Sequence, residues 1–239
     1  LVEEARRRVD RVVATIFVNP TQFGPKEDFT AYPRTEASDV AKLATLGVEA
    51  VFAPNAAEMY PPGHATTISL AGPALGLETD YRPHFFAGVA TVVAKLLLGG
   101  FPDIAMFGEK DYQQLLVVRR MVRDLRIPTE IIALPTIREP DGLALSSRNA
   151  YLSPDERRVA PRLAAVLNET AAAIRAGGDT AHHLRQGFGA LEAAGFRPDY
   201  LELRNAETLA PPASVADEPL RLLAAAWLGK TRLIDNIAV

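Results

Sequence analysis

A lysine flanked by two acids stands where an apolar run gives way to a helical pattern, in the segment 107–115, FGEKDYQQL. The preceding run, 103–107, has the composition of a buried strand. In open α/β sheets, ligands bind beyond the carboxyl ends of strands, where the chain turns into helices. Gly108 allows a ligand to approach the backbone closely, and Lys110 supplies a mobile positive charge suited to phosphate. The simpler alternative is a surface lysine that forms weak ion pairs with its acidic neighbours.

Amide side chains stand at two predicted strand ends. Asn19 and Gln22 follow the β-branched run 12–18, and Gln113 and Gln114 lie on the first helical turn after the lysine. Neutral amides can donate to a carboxylate and exchange hydrogen bonds with hydroxyls, without an ion pair that would blunt a nucleophile. Loop capping and a solvent-facing amide explain the same residues without any ligand.

A third polar segment combines two hydroxyls and a guanidinium, at Ser146, Ser147 and Arg148. These groups in one loop make a good phosphate clamp. An ordinary serine-rich turn before a helix is the alternative.

Composition narrows the class of protein. The 239 residues are 48% hydrophobic and 23% charged, with a net charge of −3, which gives no sign of a nucleic-acid or membrane partner. The sequence has no cysteine, so disulfides, thiolate zinc sites and thiol catalysis are excluded. The four histidines lack metal-site spacing, and no metal ligand is assigned.

The elements that position these residues alternate as in an α/β fold with a parallel sheet. Periodicity predicts strands over 12–18, 48–53, 66–70, 103–107 and 129–134, and helices over 2–10, 36–46, 87–98 and 111–125. After 137 the pattern changes. It predicts a long helix over 153–176, started by Ser153 and Pro154, a helix over 180–194, and strands over 199–204 and 231–235.

Three segments, 15–35, 107–115 and 135–153, together with RLIDN at 232–236, closely resemble the pantothenate synthetase (pantoate–β-alanine ligase) family. The resemblance implies a Rossmann-like nucleotidyltransferase domain with a parallel sheet over 1–136. It implies a small α+β lid domain with helices and a short antiparallel sheet over 137–239. Leucine and alanine favour a helix over 220–228, whereas the resemblance implies a strand there, and we follow the resemblance.

The implied activity is ATP-dependent ligation of pantoate and β-alanine to pantothenate, a coenzyme A precursor, through a pantoyl adenylate. AMP and pyrophosphate are released, and Mg²⁺ accompanies the ATP phosphates. A cytoplasmic homodimer is implied as well.

The resemblance also assigns residues. Lys110 is the catalytic residue, and Gln22, Gln114 and Asn19 bind pantoate, with Gln22 also at the β-alanine position. The residues implied at ATP are Gly108, Glu109, Lys110, Asp111, Ile137, Leu145, Ser146, Ser147 and Arg148.

The sequence departs from the family in three places. It begins just downstream of the family's strand and PTMGALHxGH-like loop, so we expect a longer natural protein and an incomplete, inactive chain as printed. The family's RP-x-HF-x-G pattern has its histidine at the position of Phe85, whereas here it is His84, so we expect Phe85 to be buried and His84 to lie away from substrates. Positions where some members have proposed acidic metal ligands are Ser38, Asp39 and Lys42.

Two other functions remain open: another nucleotidyltransferase of the same fold, such as a cytidylyltransferase, and a non-catalytic binding remnant. The pairing of Gln22 with Gln114, within a match along the whole chain, argues against the first. ATP binding would argue against the second.

Overall fold

The computed structural model describes residues 1–24, 27, 29–30 and 32–239. They form two compact units. Unit 1 comprises Leu1–Ala74, Glu78–Gly108 and Val117–Leu134. Unit 2 comprises Leu75–Leu77, Glu109–Leu116 and Pro135–Val239.

The first 134 residues contain six α-helices and four short strands among the residues that the structure describes. They are α1 Val2–Arg8, β1 Val13–Thr15, α2 Glu36–Thr45, β2 Ala50–Phe52, α3 Ala56–Met59, α4 Glu78–Tyr81, α5 Phe85–Gly100, β3 Ile104–Gly108, α6 Tyr112–Asp124 and β4 Glu130–Leu134. β1 pairs with β2 and β3 with β4, both in parallel. The predicted parallel α/β organisation is therefore confirmed.

The core of unit 1 is formed mainly by two helices. The buried side chains are Phe86, Val89, Val93 and Leu97 of α5 and Val117, Val118, Met121 and Val122 of α6. Side chains of β3 and β4 pack against them. The two helices therefore pack on β3 and β4, the strands on either side of α6 in the chain.

The predicted strand over 66–70 is not a strand. Its residues are in irregular structure, and the backbone N–H of Ile68 donates to the side-chain oxygen of Thr91 at 2.9 Å. Because that donor is satisfied by a helix side chain, no neighbouring strand is needed to pair with it.

From Pro135 onwards, unit 2 contains three α-helices and an antiparallel sheet. The helices are α7 Pro154–Val159, α8 Arg162–Arg175 and α9 Thr180–Ala193, and the strands are β5 Arg197–Asn205, β6 Leu220–Leu228 and β7 Thr231–Ala238 in the order β5-β6-β7. Ser153 caps α7 in a reciprocal capping box with Glu156, as the sequence predicts.

The prediction of one helix over 153–176 is wrong, because the helix is interrupted between Val159 and Arg162. Pro161 stands at the break and becomes the N-cap of α8. Proline lacks a backbone N–H and its ring clashes with the preceding turn, so the first helix ends before it.

The strand at β6 is confirmed despite its helix-favouring residues. Leu222, Ala224 and Ala226 enter one buried cluster, and Leu223 and Ala225 enter another. Successive strand residues point to opposite faces, so β6 buries both of its faces. Pairing with β5 and β7 on its two edges satisfies its backbone.

Candidate functional site

Asn19 is the centre of a hydrogen-bonded turn in unit 1. Its side chain is 3% exposed, and its Nδ2 donates to Gln22 Oε1 and to the Gly88 carbonyl, each at 3.2 Å. Its Oδ1 accepts from the hydroxyls of Tyr60 at 2.7 Å and Thr21 at 3.0 Å. The amide is therefore fully used within the protein, and it sets the orientation of the Gln22 side chain.

Tyr60 keeps this arrangement in one protonation state. Burial raises the pKa of the Tyr60 hydroxyl, and this outweighs the lowering effect of its hydrogen bonds to Thr21 and Asn19. The hydroxyl therefore stays protonated and donates to Asn19 at neutral pH. Because Asn19 Oδ1 accepts from the Tyr60 hydroxyl, the Asn19 amide is oriented with its Nδ2 toward Gln22 Oε1.

Gln22 is held from its backbone as well. The guanidinium of Arg82 donates to the Gln22 carbonyl at 3.2 Å and forms an ion pair with Glu27. Within the described residues, the Gln22 side-chain NH₂ has no hydrogen-bond partner. A fixed carboxamide with its donor unused suits an acceptor such as a carboxylate or hydroxyl.

Lys110 lies in a tight turn between β3 and α6. Glu109–Asp111 form one turn of 3-10 helix, and the Lys110 side chain is only 19% exposed. Glu109 pairs with Arg221 at 3.1 Å, whereas Lys110 Nζ lies 3.9 Å from the Asp111 carboxylate. One of the two flanking acids is therefore engaged elsewhere, and the lysine has only a long contact to the other.

The segment 137–145 is a short hairpin. Leu145 N donates to the Ile137 carbonyl at 2.9 Å, and Arg138 and Ala144 form an antiparallel bridge. Gly142, with φ of 92°, makes the turn. Ile137 and Leu145, both exposed, thus lie across from each other at the open end of the hairpin.

The three polar residues that follow the hairpin form the start of a 3-10 turn, Ser147–Tyr151. Ser146 caps this turn, because its Oγ accepts from Arg148 N at 3.2 Å. The Arg148 backbone N–H is therefore satisfied within the turn by the Ser146 side chain.

Gln113 and Gln114 have different environments at the start of α6. Gln113 is buried and its Nε2 donates to the Gly76 carbonyl at 3.2 Å, so it has a structural role that the sequence did not indicate. Gln114 is half-buried, and the described part of the chain offers its amide no hydrogen-bond partner. Of the two glutamines, Gln114 is the one available to a ligand.

The expectation that Phe85 is buried is wrong. Phe85 is half-buried, with the Arg82 guanidinium 3.8 Å from the centre of its ring, while Phe86 is the residue buried in the core. His84 is exposed at the start of α5. Helix geometry turns adjacent side chains by about 100°, so only one of the two phenylalanines can face the core.

Most of the predicted ATP residues belong to one unit. Of the predicted ATP residues, unit 2 contains Glu109, Lys110, Asp111, Ile137 and 145–148, and unit 1 contains Gly108. Of the predicted pantoate residues, Gln114 belongs to unit 2, and Asn19 and Gln22 belong to unit 1. That the two amides of Gln22 and Gln114 face one cavity stays a prediction.

Sequence reasoning missed the roles of Asp235 and Asn236, which lie in β7. The side chain of Asn236 donates to the backbone of the turn Glu109–Asp111, called the lysine turn below. The Asp235 carboxylate forms an ion pair with Arg138 of the hairpin 137–145. The one signal was that RLIDN belonged to the family resemblance. An acid and an amide next to each other inside an otherwise apolar strand are costly to bury without partners, which indicates that both side chains are hydrogen-bonded.

Among the described residues, no three histidine, aspartate or glutamate side chains cluster as a metal-ligand set. No helix in the ranges described is long and apolar enough to cross a membrane.

Comparisons with known proteins agree along the whole chain. The family model for pantoate-beta-alanine ligase matches residues 1–238. Pantothenate synthetases from Bradyrhizobium sp. (strain BTAi1) and Rhodospirillum rubrum are 58% and 57% identical over 240 residues, which is 100% of this chain and 85% of each relative.

Solved structures give the same result. Pantothenate synthetase from Thermus thermophilus superposes with a TM-score of 0.94 at 51% identity, covering 99% of this chain and 86% of that one. Pantoate-beta-alanine ligase from Francisella tularensis, complexed with beta-gamma ATP and beta-alanine, has a TM-score of 0.84 at 33% identity, covering 100% and 83%. The chain belongs to the pantoate-beta-alanine ligase family.

Proposed function

We propose that this protein joins pantoate to β-alanine at the expense of ATP. In the first step a pantoate carboxylate oxygen attacks the α-phosphorus of ATP, and the bond to pyrophosphate breaks. In the second step the β-alanine amine attacks the acyl carbon, loses a proton, and AMP leaves. The observation that carries the proposal is the family match over residues 1–238. The ATP and β-alanine bound by the Francisella relative support the choice of substrates.

We propose that Lys110 stabilises the charge that moves onto the leaving pyrophosphate. Catalysis of this kind depends on positioning and on donors fixed in place before the reaction. The largely buried Lys110 side chain and its long contact to Asp111 support this role. Gly108, Glu109 and Asp111 would lie around the nucleotide through their backbone, since the Glu109 carboxylate already pairs with Arg221.

The hairpin and the turn after it are the second ATP-contacting segment in this proposal. Ser146, Ser147 and Arg148 would bind phosphate oxygens, and Ile137 and Leu145 would contact the nucleotide. The exposure of Ile137 and Leu145 at the hairpin's open end supports that contact.

Gln22 and Gln114 would bind pantoate, with Gln22 also contacting β-alanine. In the described part of the chain neither side-chain NH₂ group has a hydrogen-bond partner, which supports this assignment. The full hydrogen bonding of Asn19 supports a change from the sequence-based role: Asn19 would act by orienting Gln22 rather than by contacting pantoate.

We propose Mg²⁺ as the partner of the ATP phosphates. It prefers hard oxygen ligands and keeps several waters. Phosphate oxygens and water would be among its ligands.

The domain boundaries, the oligomeric state and the cellular location are proposals as well. We propose domains at 1–136 and 137–239, which the compact units support in part, since unit 2 also includes Glu109–Leu116. We also propose a homodimer, to be tested by light scattering after gel filtration. A cytoplasmic location fits an ATP-using reaction and a chain without cysteine.

The test uses the protein produced from its own gene with its natural termini. Pantoate, β-alanine, ATP and Mg²⁺ are mixed, and AMP and pantothenate are followed together. We expect equal amounts of both, and pantoyl adenylate when β-alanine is omitted. Nucleotidyl transfer from CTP would indicate the other class of enzyme, and ATP binding without turnover would contradict ligation.

A further inference from the structure

Asn236 connects β7 to the lysine turn within unit 2. Its Nδ2 donates to the backbone carbonyls of Glu109 at 3.0 Å and Lys110 at 2.9 Å. The residue is 3% exposed. Both carbonyls belong to the turn Glu109–Asp111, which presents the Lys110 side chain. This one amide therefore holds the backbone of the turn at two consecutive residues.

The amide of Asn236 is itself oriented. Arg221, on the neighbouring strand β6, donates from Nε to Asn236 Oδ1 at 2.6 Å and pairs with the Glu109 carboxylate at 3.1 Å. With its oxygen occupied by a guanidinium, the Asn236 side chain has one orientation in which its NH₂ meets the turn.

Asp235, the preceding residue, holds the other candidate ATP segment. Its two carboxylate oxygens accept from Arg138 at 2.6 and 2.9 Å, and the same guanidinium donates to the Gly142 carbonyl at 3.0 Å. The Asp235 side chain is 2% exposed. The hairpin that ends in Leu145 is therefore tied to β7 through Arg138, whose guanidinium also bonds the turn of the hairpin at Gly142.

Adjacent residues of a strand point to opposite faces. Asp235 and Asn236 can therefore hold two different segments from one position in β7, and Asp235 Oδ1 also accepts the Asn236 backbone N–H at 2.8 Å. The strand is fixed in turn by its register with β6, where Asp235 lies opposite Ala224 and Asn236 opposite Leu223.

We propose that Asp235 and Asn236 are positioning residues for adenylation. Asn236 holds the lysine turn, and Asp235 holds the hairpin, in the geometry that this step needs. This inference rests on the proposed function. It assigns the RLIDN segment a role in the ATP half-reaction, although neither side chain contacts a reacting atom.

The first test is Asn236→Asp, which keeps the side-chain shape and removes the NH₂ donor. The matched control is Asn168→Asp, which removes the same kind of bond, from Nδ2 to the Ala164 carbonyl at 2.8 Å in α8. Small misplacements of a catalytic group can cost about 10²-fold in rate, so we expect single-turnover adenylate formation to fall by about 10- to 100-fold, with the pantoate KM unchanged. The control should keep the wild-type rate.

The second test is Asp235→Asn, with Asp199→Asn as its control. Asp199 forms a comparable buried pair with Arg232 at 2.6 Å in the same sheet. We expect a raised KM for ATP in the first variant only. Equal losses in both variants, or none in either, would overturn the role of Asp235.

Hydrogen exchange separates this inference from the proposed function, because it needs no turnover. Asn236→Asp should speed exchange at 109–112, and Asp235→Asn should speed it at 137–145, relative to the controls. If wild type lacks activity but these changes occur, the positioning stands and the proposed function fails.

If Asn236→Asp does not fold, Arg221→Lys replaces it, since it removes the bond that orients the Asn236 amide and leaves β7 intact. A loss of about tenfold in adenylation is expected from this milder change. A folded variant of either kind with wild-type adenylation and wild-type exchange would overturn the inference.

Discussion

Gly88 packs directly on the backbone of Thr21: a Cβ at position 88 would lie 2.6 Å from the Thr21 carbonyl oxygen and 2.9 Å from Gln22 N. Helix α5 and the turn Pro20–Gln22 therefore touch at a point where only glycine fits. The Gly88 carbonyl also accepts from Asn19. The position of the Gln22 amide thus depends on a residue in a different helix.

We expect Gly88→Ala to destabilise the protein by about 1–3 kcal/mol, as overpacking does, and to raise the pantoate KM. Gly99→Ala in the same helix is the control. No described atom lies within 4 Å of its Cβ, and it should stabilise by about 0.5–1 kcal/mol. Urea unfolding measures both, and equal effects would contradict the close packing.

Lys110→Ala should slow adenylation by about 10²–10³-fold, because it removes one donor at developing charge. Pantoate binding should persist. Lys230→Ala, on the exposed turn after β6, is the control. Single-turnover formation of pantoyl adenylate is the measurement. A loss below about threefold would mean that Lys110 is only a surface charge.

Gln114→Ala should raise the KM for pantoate more than the KM for ATP, because the amide is available for hydrogen bonds to the hydroxy acid. Gln186→Ala, the same change on the exposed face of α9, should have no effect. An unchanged pantoate dependence in Gln114→Ala would remove the residue from the site.

His84→Ala should leave both KM values and the turnover number unchanged, since His84 is exposed at the start of α5. Phe85→Leu should destabilise by about 0.5–2 kcal/mol through loss of the stacked Arg82 guanidinium. Chemical unfolding and steady-state kinetics on the two variants test this. Lost activity in a folded His84→Ala protein would show a role for that imidazole.

Asp141, in the hairpin turn, should titrate with a pKa below its ordinary value of 3.8, chiefly because Arg157 bonds its carboxylate at 2.6 Å. Its pKa is lowered in the folded state, so its contribution to stability is present above pH 3.8. It is lost as the pH falls through the lower, folded value. Carboxyl NMR titration of wild type and Arg157→Gln is the measurement. The Asp141 pKa should rise in the variant, and an identical pKa would contradict the pairing.

Much of the local structure follows from the sequence alone. β-branched and apolar runs ahead of polar segments predict the parallel strands, because such side chains fit a pleated, partly buried surface. Ser153 and Pro154 predict the start of α7. The polar segments at 19–22, 107–115 and 145–148 identify the candidate site through residue type and family resemblance, since these properties do not depend on distant contacts.

Tertiary structure decided the rest. β6 is a strand because Leu222 and Leu223 enter cores on its two faces, and that burial overrides the helix propensity of leucine and alanine. Asn19 and Gln113 look like ligand residues in the sequence, yet their amides are used by Gly88 and Gly76, far away in the chain. Asn236 meets Lys110 across 126 residues. A buried amide takes whichever partner the fold brings to it, so its role is fixed only when the chain has folded.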